Sequence, residues 1–326
     1  MTADVLSPAL RHRSTPVEFD FLRQAAFAAM THPGGRPWRL WPVDRGVELR
    51  ADGLHGLPPG GVGMQTIRIA AGMALLNMRL AVAAYGNCPV TVLLPDRSRP
   101  RVLAVLRGGA PADPAPGERA LFATALAVGR QAPVVGPGPV PRAVLNGVRS
   151  AAETERAWLR SIADAGERAR IAEQVPAVRE YGSAGLLVVV GSNHDAPAAH
   201  LHAGQAAQRI ALTSAILGYA AAVAAWPADL RSAGTLPPSV GGPGLFPQVL
   251  MVVGHGRCVP DLAVLRGGEA GHTRANELPG RAAARRCATT RAGDPDVPQP
   301  LVDGDARRGN AGPAPPVPGE GDHVDG

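Results

Sequence analysis

The stretches Ala71-Gly72-Met73-Ala74 and Ala203-Gly204-Gln205-Ala206 decide the architecture, because each opens an apolar pattern of helical period and the two run in step. In both, a leucine follows the glycine after eight residues (Leu80, Leu212) and a second glycine after fourteen (Gly86, Gly218). Ala83 and Ala215 match as well. A strand-like run answers each helix, Val90-Thr91-Val92-Leu93-Leu94 in the first copy and Val249-Leu250-Met251-Val252-Val253 in the second. Two copies about 130 residues apart are too few and too long for a solenoid. They suit a chain that carries within itself the twofold arrangement a homodimer would otherwise supply.

Composition narrows the classes. The chain has 326 residues, 45% hydrophobic, enough for one large core or two modest ones. Its formal charge of +6 comes from arginine alone, since it contains no lysine. A lysine Schiff base, a lysine general base and a Walker-type phosphate lysine are thereby excluded. The arginines are scattered among acids with almost no interleaved aromatics, so nucleic acid is not an expected partner. Cys88, Cys258 and Cys287 stand apart from any CxxC or Cys/His spacing. That speaks against a structural zinc or a disulfide framework and leaves Cys88 as a small buried hydrophobe. His194, His200 and His202 lie near Asp195, but His200 and His202 are two apart and point to different helix faces, so no metal site is expected. With no signal-peptide hydrophobic region, and polar residues within the apolar helix of about Ala203 to Trp226, a cytoplasmic chain off the membrane is the expectation.

Along the chain, residues 1–16 read as a flexible leader. Val17 to Met30 has helical spacing, stopped by Thr31-His32-Pro33-Gly34-Gly35. Trp38–Val43 and Val47–Ala51 alternate as a hairpin around Asp44-Arg45-Gly46. A turn-rich connector at 53–63 leads into the first repeated helix at 64–85. A helix at 118–128 closes a first half, 17–128. The second half, 129–266, opens on a Gly/Pro/Val-rich segment, followed by helices at 141–150 and 152–174. Gly185–Gly191 is a buried strand, and Asp195 or a neighbour caps the second repeated helix. Residues 267–326 are rich in Gly, Pro, Arg and Asp, and read as a disordered tail. Without a strand–GxGxxG–helix unit, an α+β sandwich of two related halves fits better than a doubly wound sheet.

Several ordered stretches carry a family resemblance: Arg36-Pro37-Trp38-Arg39, Leu93-Leu94-Pro95-Asp96, Ala203-Gly204-Gln205-Ala206-Ala207-Gln208-Arg209 and Pro247-Gln248-Val249-Leu250-Met251. The chain resembles, over residues 17–257, the actinobacterial Acg-type branch of the FMN-dependent nitroreductases, fused single-chain versions of a homodimeric flavoprotein fold. The resemblance implies a nitroreductase-like sandwich with an internal pseudo-twofold, an FMN between the halves and NAD(P)H as electron donor. The flavin carries such chemistry and the protein supplies position and electrostatics, so no catalytic side chain is singled out.

Three departures from the family pattern accompany this. Where the family carries Pro-Ser-x-x-Asn-x-Gln ahead of Pro-Trp, this chain has Met30, Thr31, Pro33-Gly34 and Arg36. Thr31 keeps a hydroxyl, while the asparagine has become Gly34 and the glutamine Arg36. The family's Arg-Arg-Thr-x-Arg phosphate cluster is reduced to Arg130 within Gly129-Arg130-Gln131-Ala132-Pro133-Val134, with Arg274 as a compensating cation. The flavin-covering lid is cut to the stub Val178–Ala184. The cofactor-binding residues implied are therefore Thr31, Arg36, Trp38, Arg130, Trp226 and Arg274. The expected function is FMN-dependent, NAD(P)H-driven reduction of small electron-poor acceptors by a monomer. The alternative is a catalytically inactive pseudo-enzyme of the same fold, acting as a flavin store or interaction module.

Overall fold

In the computed structural model the first sheet has the strand order β1-β2-β4-β3, and the second repeats that order as β6-β7-β9-β8. The first comprises β1 (Trp38–Val43), β2 (Gly46–Ala51), β3 (Asn87–Leu93) and β4 (Val102–Pro111). The second comprises β6 (Trp158–Ile162), β7 (Leu186–Ser192), β8 (Ala220–Ala225) and β9 (Phe246–Gly256), with the two-residue β5 (Val135–Gly136) added at the end of β9. All these pairings are antiparallel. The structure describes residues 17–30, 32–33, 35–44, 46–52, 61–128, 133–180, 185–232 and 244–256. They fall within one compact unit. The leader at 1–16 and the tail at 267–326 lie outside the described residues.

Between the second and third strands of each sheet runs a long helix, α2 (Val62–Ala84) in the first and α7 (Pro197–Ile216) in the second. Helix α2 lies against β1 to β4, α7 against β7, β8 and β9, and the two helices pack on each other. The layers are thus sheet, helices, sheet. Both helices are apolar nearly all round, as elements buried on every side must be. Helix α2 is long and apolar enough to span a membrane, but 89% of that window is buried inside the protein. Both helices end through a glycine in the left-handed region, Gly86 at φ 84° and Gly218 at φ 83°. There each amide N–H donates back to the helix, to the Ala83 and Ala215 carbonyls.

The remaining helices complete two cores. Helices α1 (Phe19–Phe27), α3 (Pro116–Val128) and α4 (Arg142–Thr154) join α2, α7 and the inward faces of both sheets in the larger one. Helix α4 buries Val144, Val148, Ala151 and Ala152, one stripe at the helical period. The smaller core lies on the far side of the second sheet. There α5 (Ala165–Gln174), α6 (Pro176–Glu180) and α8 (Pro227–Ser232) bring Ile171, Val178 and Leu230 against Leu187, Val189, Leu250 and Val252.

Several sequence expectations require correction. The helical reading of Ala203 to Trp226 is wrong at its end, since α7 stops at Ile216 and Ala220–Ala225 is β8. The strand answering the second repeated helix is therefore β8, the counterpart of β3, and β9 is the counterpart of β4. Strand β4 itself was not anticipated. The single helix expected at 152–174 is broken by Arg156, at φ 61°, and by β6. The N-cap of α7 is Ala196, the neighbour of Asp195, whose carboxylate lies 2.8 Å from His200 Nε2. Cys88 is disulfide-bonded rather than a free buried hydrophobe, and Cys258 and Cys287 lie outside the described residues.

Candidate functional site

The seam where α2 packs on α7 is built on two glycines, Gly72 and Gly204. A Cβ on Gly72 would overlap the Leu201 carbonyl and lie 3.1 Å from Gly204 Cα. Reciprocally, a Cβ on Gly204 would overlap the Ile69 carbonyl and lie 3.0 Å from Gly72 Cα. Each glycine thus meets the carbonyl three residues before its counterpart. Only hydrogen at both positions permits backbones this close.

Polar side chains flank this crossing and pair across it. Asn77 Nδ2 donates to the Ala25 carbonyl at 3.1 Å, and Gln208 Nε2 donates to Asn77 Oδ1 at 3.2 Å. The Met30 N–H donates to Gln208 Oε1 at 3.0 Å, which ties the end of the first helical segment to the second half. On the other side, Gln65 Nε2 donates to Gln248 Oε1 at 2.6 Å, Gln248 Nε2 to Ser192 Oγ at 3.0 Å, and Ser192 Oγ to the His194 carbonyl at 2.8 Å. Buried amides in such chains are satisfied by one another, which holds the seam in one register.

A charged cluster lies along the same helices. Glu155, 3% exposed, receives Arg79 at 2.7 Å on one carboxylate oxygen and Arg209 at 2.7 Å on the other. Arg79 also donates to Gln205 Oε1 at 2.6 Å. Burial alone would push the Glu155 pKa up, but the two guanidiniums outweigh it and hold the carboxyl below its usual range. Burial holds His202 below the ordinary histidine value, with Arg156 and Arg79 adding to the effect and Glu155 opposing it.

The expected cofactor residues divide among these surroundings. Thr31, Arg130 and Arg274 lie outside the described residues, as do Gly34 and most of the stub at 181–184. Trp226, immediately after β8, is 5% exposed and meets His32 edge-to-face at 4.8 Å between ring centroids. Its backbone N–H donates to Asp229 Oδ2 at 2.9 Å. Burial lowers the His32 pKa, opposed by the Asp229 carboxylate. Arg36 is exposed, donates to the Phe27 carbonyl at 2.9 Å and lies 4.7 Å over the Phe27 ring. Trp38, 6% exposed, packs edge-on against Phe27 at 5.6 Å. The structure therefore sets Trp226 against His32, and gathers Arg36 and Trp38 around Phe27 instead. The sequence singles out none of Gln65, Asn77, Arg79 and Glu155, and carries Gln208 and Gln248 only within the stretches of the family resemblance. For Gln65, Asn77 and Arg79 the signal is a polar residue inside an otherwise apolar pattern.

Measured against an FMN, these surroundings fit at the rim. His32 supplies an imidazole that burial keeps neutral, able to donate or accept at a ring edge, and Arg36 supplies an exposed cation. The buried amides of the seam are already bonded to each other, and Trp38 and Trp226 are covered.

No protein family matches the chain, and no curated protein sequence does either. Partial overlaps exist with solved structures. A protein named as an NADH dehydrogenase/NAD(P)H nitroreductase from Parabacteroides distasonis is 19% identical over 41% of this chain and 86% of its own, with a TM-score of 0.33. Nitroreductase A from Vibrio parahaemolyticus is 14% identical over 49% of this chain and 79% of its own, with a TM-score of 0.36. The NfrA1 nitroreductase from Bacillus subtilis is 10% identical over 52% of this chain and 75% of its own, with a TM-score of 0.33.

Proposed function

We propose that this chain is a nitroreductase-like oxidoreductase that takes FMN at the mouth of the seam and passes reducing equivalents from NAD(P)H to small electron-poor acceptors. The observation that carries the reading is the meeting of His32 with Trp226 at 4.8 Å. It joins the segment that the family resemblance assigns to the flavin edge with a tryptophan from the opposite half. We infer further that the halves descend from one duplicated unit of the Acg type, on the shared strand order and the reciprocal glycine crossing. FMN, when bound, supplies the hydride chemistry. The chain's share is to orient it, with His32 and Arg36 at the rim and Thr31, Arg130 and Arg274 as the implied further partners. The proposed assembly is a monomer, since the twofold is internal.

The pseudo-enzyme reading has its own support. Trp226 and Trp38 are almost fully covered, and the seam amides are spent on each other. Turnover separates the two. Purified protein supplied with FMN and NADPH should reduce a nitroaromatic or a quinone, and changing His32 to Ala should cut that rate. Flavin binding without any reduction of either acceptor would favour the inactive form, and no flavin binding at all would refute both the enzyme and the flavin store.

A further inference from the structure

A second site lies on the first sheet, on the face turned away from α2. Register pairs Trp41 with Glu48 and Arg39 with Arg50, which puts all four on that face. The turn from β3 to β4 closes over one end and adds Ser98, Arg99 and Arg101. The result is a groove of about 510 Å³ lined by Arg39, Trp41, Arg50, Asp52, Arg99 and Arg101 among others. Four guanidiniums face a single carboxylate in this wall.

The groove has three features that select a ligand. First, it is braced from below. Glu48, 6% exposed, accepts Arg50 at 2.6 Å and Arg99 at 3.3 Å, while Asp96 accepts Arg99 at 3.1 Å and Arg39 pairs with Asp52. These pairs fix where the guanidiniums sit and leave further N–H donors on each, since a guanidinium carries five. Second, Arg101 makes no side-chain hydrogen bond or ion pair among the described residues, although its backbone carbonyl is anchored by the Ala51 N–H at 2.8 Å. An anchored, unengaged cation beside three braced ones is suited to an anion. Third, Trp41 is 50% exposed, with the Arg50 guanidinium stacked 4.7 Å from its ring centroid. One indole face is held by the cation, and the rest remains open to a flat ring.

We propose that this groove binds a mononucleotide, with its base on Trp41 and its phosphates on Arg99 and Arg101. The volume lies in the range of small-ligand sites and is larger than an inorganic phosphate needs. A polymer is less suited. Toward the β3 edge the same face turns to Val90 and Val92, each 41% exposed, with Arg107 as the one cation between β2 and that edge. The charge is concentrated at one end and does not run on as a track. The site is separate from the seam and does not depend on flavin binding there.

The test is calorimetric titration of the full chain at low salt with ADP, adenosine, inorganic phosphate and a short single-stranded oligonucleotide. ADP should saturate, with adenosine and phosphate each about tenfold weaker or more. Arg101→Ala, which removes a side chain without an internal partner, should keep the wild-type melting temperature and lose about tenfold in ADP affinity. Trp41→Ala should lose about tenfold for ADP and nothing for phosphate. Absence of saturable ADP binding, or ADP affinity unchanged in both variants, overturns the proposal. So does an oligonucleotide that displaces ADP at lower concentration than ADP displaces it.

Discussion

The two sheets share strand order and the placement of their long helix, yet they face the world differently. The first presents one outer face on which no described helix packs, where Trp41, Arg50, Val90 and Val92 meet solvent. The second is covered on both sides, by α7 within and by α5, α6 and α8 without. Sequence already carries that difference. Strand β7 is apolar from Leu186 to Val190, as a strand buried on both faces must be, whereas β1 and β2 mix arginine and glutamate with apolar residues. A shared strand order thus does not dictate what lies outside each sheet: the second carries helices there, the first a basic groove.

The largest expected effect lies on the seam that both halves share. Glu155→Ala leaves Arg79 and Arg209 facing each other without their carboxylate. It should destabilise the fold by about 3–5 kcal/mol in chemical denaturation; a loss below 1 kcal/mol, the scale of an exposed pair, would mean that the cluster is not an element joining the halves.

Next comes the contrast between outer faces. Leu187→Ala, under the helices of the second sheet, should cost about 2–5 kcal/mol. Val92→Ala, on the open first sheet, should stay within about 0.5 kcal/mol. Equal costs would show that the first sheet's outer face is covered too.

Smaller again is the symmetry of the crossing. Gly72→Ala and Gly204→Ala should each cost about 1–3 kcal/mol, because the added carbon meets a backbone carbonyl that cannot swing aside. Similar values at the two positions would support a reciprocal crossing, and a neutral result at either would break it.

The mildest effect is the pH profile. His32 and His202 both sit below the ordinary value of 6.5, so the folded state binds their protons less readily than the unfolded chain does. The stability they carry is complete above pH 6.5 and declines as pH falls through their lowered values. Glu155, lowered from 4.5, adds a further loss below that pH. Melting temperature should therefore fall in two stages on acidification, and His202→Gln should flatten the first stage.

Much of this was legible from residues alone. The paired Ala-Gly stretches marked the two central helices, the first helix was read to its end before Gly86, and the hairpin of β1 and β2 followed from its alternation; the second helix was carried past Gly218, where it ends, to Trp226. What escaped has physical reasons. Strand β8 is almost all alanine, which favours helix in isolation, and only pairing with β9 makes it a strand. Strand β6 hides in an Arg/Glu-rich stretch, because its partner β7 is distant in sequence. The Arg79, Glu155 and Arg209 cluster joins three helical regions far apart in the chain, and no local pattern announces such a meeting. At the site, neither the meeting of Trp226 with His32 nor the burial of Trp38 against Phe27 could be read from spacing.

The seam beside His32 and Trp226 is the proposed seat of FMN. The direct measurement is the thermal melt of the purified chain with and without FMN in large excess. Binding at a hundred times the dissociation constant should add about 2.7 kcal/mol to stability and raise the transition visibly, and the rise should shrink in His32→Ala. A melt that FMN leaves unmoved would contradict the claim.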